Sequence, residues 1–201
     1  MSSSEFRALA REQMKNRFWM LFVASLIITA VEAGVSGASL GILGIIVLGP
    51  LAVGLSYYLL DFIEVRNKGD KFEIMMEGFK KSLVNSIVAG LLNMVFVFLW
   101  SLLFIIPGII KALAYSMYPY IIAENPEIDA MEALRKSEEM MRGNKTRLFS
   151  LYLSFIGWFI LTIFTFGIGM FFLLPYVQVS VANFYADLRG PKVIEAEFSE
   201  K

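Results

Sequence analysis

Residues 105–128 read IIPGIIKALAYSMYPYIIAENPEI, and this stretch decides the fold. Pro107-Gly108 reads as a turn. Residues 109–123 are almost wholly apolar, with a single charge, Lys111, and three tyrosines. Asn125, Pro126 and Glu127 then open a polar helix: a good N-cap, a proline suited to the first helical position, and an acid placed for the helix dipole. The stretch is thus a turn on one face of a membrane, a crossing, and a return to the other face.

Working outward, the same plan recurs. Of the 201 residues, 57% are hydrophobic and only 18% charged, against roughly 25% charged in soluble proteins. The charges leave three apolar blocks, 18–60, 82–123 and 148–186, interrupted only by Glu32 and Lys111. Each block is about twice the ~20 residues that one helix needs to cross a bilayer. The sequence therefore predicts an all-α membrane protein with six crossings in three hairpins. Three amphipathic helices, over 2–17, 64–81 and 126–142, precede the hairpins. One integral membrane domain, 1–189, is followed by a flexible tail, 190–201. Ser2 and Glu5 have the spacing of a capping box at the start of the first amphipathic helix. Gly143 is a natural stop for the third.

The first crossing starts at Phe18 and is short unless it continues through Glu32; a glycine-rich turn, 34–44, follows. The second crossing, 40–63, contains Pro50, and the sixth, ending near Ala186, contains Pro175. A proline inside a membrane helix bends it and frees a carbonyl that neighbours must satisfy. The third crossing, 82–104, carries Asn93 near mid-depth. The fifth, 148–165, ends at the turn Phe166-Gly167-Ile168-Gly169.

Of the 18 lysines and arginines, all but Lys111 fall in the polar segments, and the three hairpin turns hold none. Positive charge is retained on the cytoplasmic side, so both termini and the amphipathic helices are expected there, with almost no loop on the outer face. The N-terminal residues do not read as a signal peptide. Net charge is zero, with no basic excess for nucleic acid. Cysteine and histidine are absent, which removes thiol chemistry, disulfides and the commonest catalytic base and metal ligand. No cofactor and no enzymatic activity are expected. The partners expected are membrane lipids, anionic on the cytoplasmic face, together with a protein partner or a second copy of the chain.

An internal period of about 60 residues is legible. Ala52-x-Gly54-x-Ser56-x-Tyr58 matches Ala112-x-Ala114-x-Ser116-x-Tyr118, with Glu64 and Glu124 at the same offset. Val179-x-Val181-x-Asn183-x-Tyr185 is a looser third copy. The pseudo-repeats, 2–64, 65–124 and 125–189, share one orientation, which implies an axis along the membrane normal. Ser56, Tyr58, Ser116, Tyr118, Asn183 and Tyr185 then either line a shared polar cavity or make inter-helix hydrogen bonds and an interfacial belt. Asn93 reads as a polar contact between helices. Glu32 and Lys111 lie at matching depth near the outer face. They either pair across an outer opening or reach separately to the headgroups. Two functions stay open: a non-enzymatic protein that organises the bilayer or serves a membrane partner complex, and a small exporter of an amphiphile such as a lipid or membrane-active peptide.

The segments LWSLLFIIPGIIKALAYSMYPYIIAENPEI (99–128), SEEMMRGNKTRLF (137–149), LSFIGW (153–158), FTFGIGMFFLLPY (164–176) and ANFYADL (182–188) closely resemble the domain-of-unknown-function 975 family of bacterial integral membrane proteins. The resemblance implies a multi-span protein of the bacterial cytoplasmic membrane. It brings no assigned reaction and no catalytic residues. The chain also resembles, more distantly, the membrane domain attached to some glycerophosphodiester phosphodiesterases, without the enzyme part that would carry that activity.

Overall fold

The computed structural model describes residues 1–15, 17–38, 42–64, 81–165 and 167–190, and of residues 32, 35–38, 42–45, 103 and 168 the backbone alone. The expected amphipathic helix over 64–81 and the tail over 191–201 lie outside the described residues, apart from the ends of the former. The described residues form helices and no strands. Helix α1 spans Ser3–Met14, α2 Phe18–Ala38, α3 Ile42–Glu64, α4 Leu83–Leu103, α5 Ile105–Tyr115, α6 Tyr118–Glu124, α7 Ala130–Met140, α8 Lys145–Leu153, α9 Ile156–Phe164 and α10 Ile168–Arg189.

Five helical stretches are long and apolar enough to cross a membrane: 46–64, 83–102, 105–124, 145–164 and 169–189. A sixth is reached if α1 and α2, bent by 102° where they join, are taken together. Helix α2 does continue through Glu32. Both prolines expected inside crossings, Pro50 in α3 and Pro175 in α10, are buried within unbroken helices.

Helix α1 begins as its sequence directs. The Ser2 hydroxyl accepts from the Glu5 amide and the Glu5 carboxylate accepts from the Ser2 amide, a complete capping box. That backbone hydrogen bond is the main reason the Glu5 carboxyl sits below its ordinary pKa. Phe6, Ala10 and Met14 form the buried stripe.

Three local expectations are corrected. First, the chain turns at Phe104, a single extended residue between α4 and α5, and not at Pro107-Gly108. Pro107 lies in the first turn of α5, where a backbone N–H has no helical partner to lose. Gly108 is needed for contact: a Cβ there would lie 2.1 Å from the Ser101 hydroxyl. Second, the polar helix starts at Ala130, capped by the Asp129 carboxylate, which accepts from the amides of Met131 and Glu132. Asn125 instead closes α6, its amide nitrogen donating back to the Ile121 carbonyl. Third, residues 105–124 are two helices broken at Ser116-Met117. Pro119 cannot donate to a carbonyl four residues back, so the ladder ends just before it.

The core holds the even-numbered members of the apolar series. Buried residues make up 56% of 46–64, 44% of 105–124 and 56% of 169–189, against 11% of 83–102 and 22% of 145–164. Helix α3 packs against α2, α4, α6 and α10, and α10 also packs against α1, α2 and α9. Helices α4 and α9 lie outside and expose large apolar side chains such as Phe98, Leu102, Ile163 and Phe164. A surface of that kind suits lipid rather than water.

Small residues set the closest approach. A Cβ on Gly49 would sit 2.1 Å from the Ser86 carbonyl oxygen, and one on Gly90 would sit 2.9 Å from Gly49 Cα, so the backbones of α3 and α4 touch. Gly157, in contrast, has nothing within 4 Å of such a Cβ. Gly49→Leu should therefore cost about 1–3 kcal/mol or more through overpacking, while Gly157→Leu should be neutral. Thermal denaturation of the purified protein in detergent checks this. Equal melting temperatures for the two variants would contradict the packing.

Candidate functional site

The ends of the three inner crossings converge. Arg189, the last residue of α10, hydrogen bonds Glu64, the last residue of α3, at 2.7 Å and also bonds Glu124, the last residue of α6. The Tyr185 hydroxyl donates to the second oxygen of Glu124 at 2.7 Å, and its ring stacks on Tyr120 at 5.1 Å. One guanidinium thus bridges two carboxylates, all three side chains being largely buried. At the same end of the bundle, the amine of Met1 lies 3.7 Å from Asp187, which also takes a 2.6 Å bond from Arg147. Beside the cluster, Tyr57, Asp61, Glu64, Glu124 and Asn125 line an open cleft of about 480 Å³ between α3 and α6.

A second set of contacts fastens the amphipathic helices to the bundle. Gln13 of α1 and Asn183 of α10 exchange amide hydrogen bonds in both directions, at 3.2 and 2.6 Å. Helix α7 packs against α4, α5 and α6. Its Ser137 is fully buried at the break between α5 and α6, where the hydroxyl donates to the Ala114 carbonyl and accepts from the Met117 amide. The two backbone groups at the broken helix are satisfied by one side chain, as membrane-buried backbone requires. The next residue, Glu138, accepts from Lys111 at 2.7 Å.

That last contact gives Lys111 a partner that its sequence position did not suggest. Its ammonium also lies 5.5 Å from the Trp100 ring and 5.3 Å from the Tyr115 ring. A lone lysine inside an apolar segment costs about 3 kcal/mol on insertion scales, and the carboxylate with the two aromatic faces offsets this. The side chain of Glu32 lies outside the described residues.

The repeated polar positions are buried, apart from the half-buried Ser116, but are not gathered around one space. Ser56 donates to the Ala52 carbonyl and Ser116 to the Leu113 carbonyl, each within its own helix. Tyr58 is buried, its ring 6.4 Å from that of Phe62. Tyr118 packs where α3 and α4 touch, its hydroxyl 3.6 Å from the point a Gly90 Cβ would occupy. Asn183 faces α1 and Tyr185 faces Glu124. Asn93 is half-buried, and its side-chain oxygen accepts no hydrogen bond among the described residues. No group of three or more Asp or Glu is placed to hold a metal ion among the described residues.

Residues 103–192 match the family model described as Protein of unknown function (DUF975). Over these residues the chain is similar to the DUF975 family. The matched region runs from the turn at Phe104 through α10, so it includes Glu124, Ser137, Glu138, Asn183 and Arg189. Gln13, Glu64, Trp100 and the amine of Met1 are supplied from outside the matched region. No curated protein and no solved structure matches the chain.

Glu64, Glu124 and Arg189 were not singled out by sequence as a cluster. The signal was present, however, since Glu64 and Glu124 end equivalent crossings at the same offset. Hydrogen bonds to charged groups contribute roughly 1.5–3 kcal/mol each, so Arg189→Gln should destabilise the protein by about 2 kcal/mol. Because Arg189 and Glu124 meet directly, the double variant with Glu124→Gln should lose clearly less than the sum of the singles. A double-mutant cycle on denaturation midpoints measures this. Strict additivity would show that the contact contributes nothing.

Proposed function

We propose that the chain is a non-enzymatic protein of the bacterial cytoplasmic membrane that organises the bilayer or serves a membrane partner complex. It crosses six times as three hairpins, with both termini and three amphipathic helices on the cytoplasmic side. The observation that carries the topology is the meeting of Glu64, Glu124 and Arg189. Three helix C-termini at one point support inner crossings that run in one direction. Met1 and Asp187 bring the first residue to that same end. The lysines and arginines of the polar segments then place this end in the cytoplasm.

The pattern of docking supports the three-fold repeat. Helix α7, which opens the third unit, rests on the crossings of the second. Helix α1, which opens the first unit, rests on α8 and α10 of the third. The two described amphipathic helices, α1 and α7, thus each rest on the hairpin of another unit.

The organising role is favoured over export by how the polar positions of the inner crossings are used. Ser56, Ser116, Asn183 and Tyr185 spend their hydrogen bonds on their own helices or on a neighbour rather than on a shared polar channel. The broad cytoplasmic half and lipid-exposed outer helices present one face to anionic headgroups and another to acyl chains.

Reporter fusions at each terminus, together with lipid profiles of cells with and without the gene, test the reading. Both reporters should be cytoplasmic, and deletion should change lipid composition or susceptibility to membrane-active peptides. An external terminus would overturn the topology, and deletion without either change would overturn the organising role.

A further inference from the structure

One cavity lies apart from the contacts described so far. A groove of about 390 Å³ runs between α9 and α10, walled by Trp158, Leu161, Thr162, Phe172 and Leu173. It begins at the turn near Gly169 and ends at Tyr176, seven residues and about 10 Å along α10 at 1.5 Å per residue. At that end stands Arg11 of α1, whose guanidinium lies 6.0 Å from the Tyr176 ring and donates to the Tyr176 hydroxyl at 3.3 Å. Arg7, one turn earlier on α1, lies 5.9 Å from the Phe155 ring and donates to the Ser154 carbonyl. Phe155 and Tyr176 meet edge to face at 5.1 Å, so the two arginines flank one aromatic pair.

Lys111, Arg147 and Arg189 each bond a carboxylate. Among the described residues, Arg7 and Arg11 meet only a carbonyl, a phenol and aromatic faces. One guanidinium without a counter-anion at the mouth of an apolar groove (Arg11), with a second (Arg7) one turn away across the same aromatic pair, complements a molecule with an anionic head and a hydrocarbon tail. The guanidinium fork suits phosphate in particular. The volume lies in the usual range for a ligand site, roughly 300–1,000 Å³.

We infer that this groove holds one anionic phospholipid, its phosphate at Arg11 and Arg7 and one acyl chain along α9 and α10. The inference deepens the organising reading and rests on it. The lipid covers apolar side chains that α9 and α10 otherwise leave open, and it supplies the charge that α1 lacks. Helix α1 would therefore be anchored by the Gln13–Asn183 amides and by a bound headgroup.

Native mass spectrometry of the purified full-length protein, loaded with equimolar phosphatidylglycerol and phosphatidylcholine, tests the site. The wild type should retain one phosphatidylglycerol at least tenfold over phosphatidylcholine. The double change Arg7→Gln with Arg11→Gln should lose that preference, Arg11→Lys should keep most of it, and Arg135→Gln on exposed α7 should leave it intact. Inorganic phosphate at the same concentration should not displace the lipid, because it lacks the chain. Equal retention of the two lipids by the wild type overturns the site whether or not any variant folds. So do an unchanged preference in the double variant and displacement by phosphate. None of these results bears on the topology, which the terminal reporters test separately.

Discussion

A polar side chain carried into apolar surroundings must find its partner within the protein, because no water is there to replace it. The docking of the amphipathic helices follows from this requirement. Gln13 meets Asn183 with both halves of each amide engaged. Ser137 meets the carbonyl and the amide exposed by the break ahead of Pro119. Glu138 meets Lys111. In each case a group on a helix of mixed character is matched to a group on an apolar one, and neither would be stable there alone. The amphipathic helices are thus part of the bundle, buried along Phe6, Ala10 and Met14 in α1 and along Ala133, Leu134 and Ser137 in α7.

This matching arranges the layers. Helices α3, α6 and α10 carry the small residues, the tyrosines and the charged ends, and they occupy the centre. Helices α4 and α9 face outward with phenylalanine, leucine and isoleucine, a surface that suits lipid. Glycine then sets how near the inner and outer layers come, most closely where Gly49 meets Gly90. The two ends of the bundle differ as a result. One is charged and braced by ion pairs. The other is apolar and holds the bends at Phe104 and Gly167, the latter with the positive φ of 84° that favours glycine.

Much of this was legible in advance where a local rule acts alone. The Ser2–Glu5 capping box, the stop at Gly143 (φ 80°) and the approximate bounds of the apolar helices all depend on neighbouring residues. What escaped was decided by tertiary contact. Pro107-Gly108 has the composition of a turn, yet proline is tolerated in a first helical turn, and here the glycine serves close packing against Ser101. Asn125 is a fair N-cap, but the chain needed four more residues to bring Ala130 beside the bundle, and Asp129 took the role. The break at Ser116-Met117 could have been anticipated from Pro119, whereas its repair by Ser137 could not. Lys111 was read by depth against Glu32, because sequence gives no sign that α7 runs back beside α5. Among the candidate residues, Ser56, Tyr58, Tyr118, Asn183 and Tyr185 are all inside, and Asn183 and Tyr185 bond another element, partners that no sequence offset announced.

The docking of α1 onto α10 can be probed directly, since the chain contains no cysteine to compete. Gln13→Cys and Asn183→Cys, introduced together, should be joined within native membranes by a short thiol-bridging reagent. The two fragments should then stay linked after proteolysis between the positions. Moving the first cysteine to Glu12, on the exposed side of α1, should abolish the bridge. If the Gln13 and Asn183 pair remains unlinked, or if both pairs link equally well, α1 does not close the bundle against α10 and the arrangement described here is wrong.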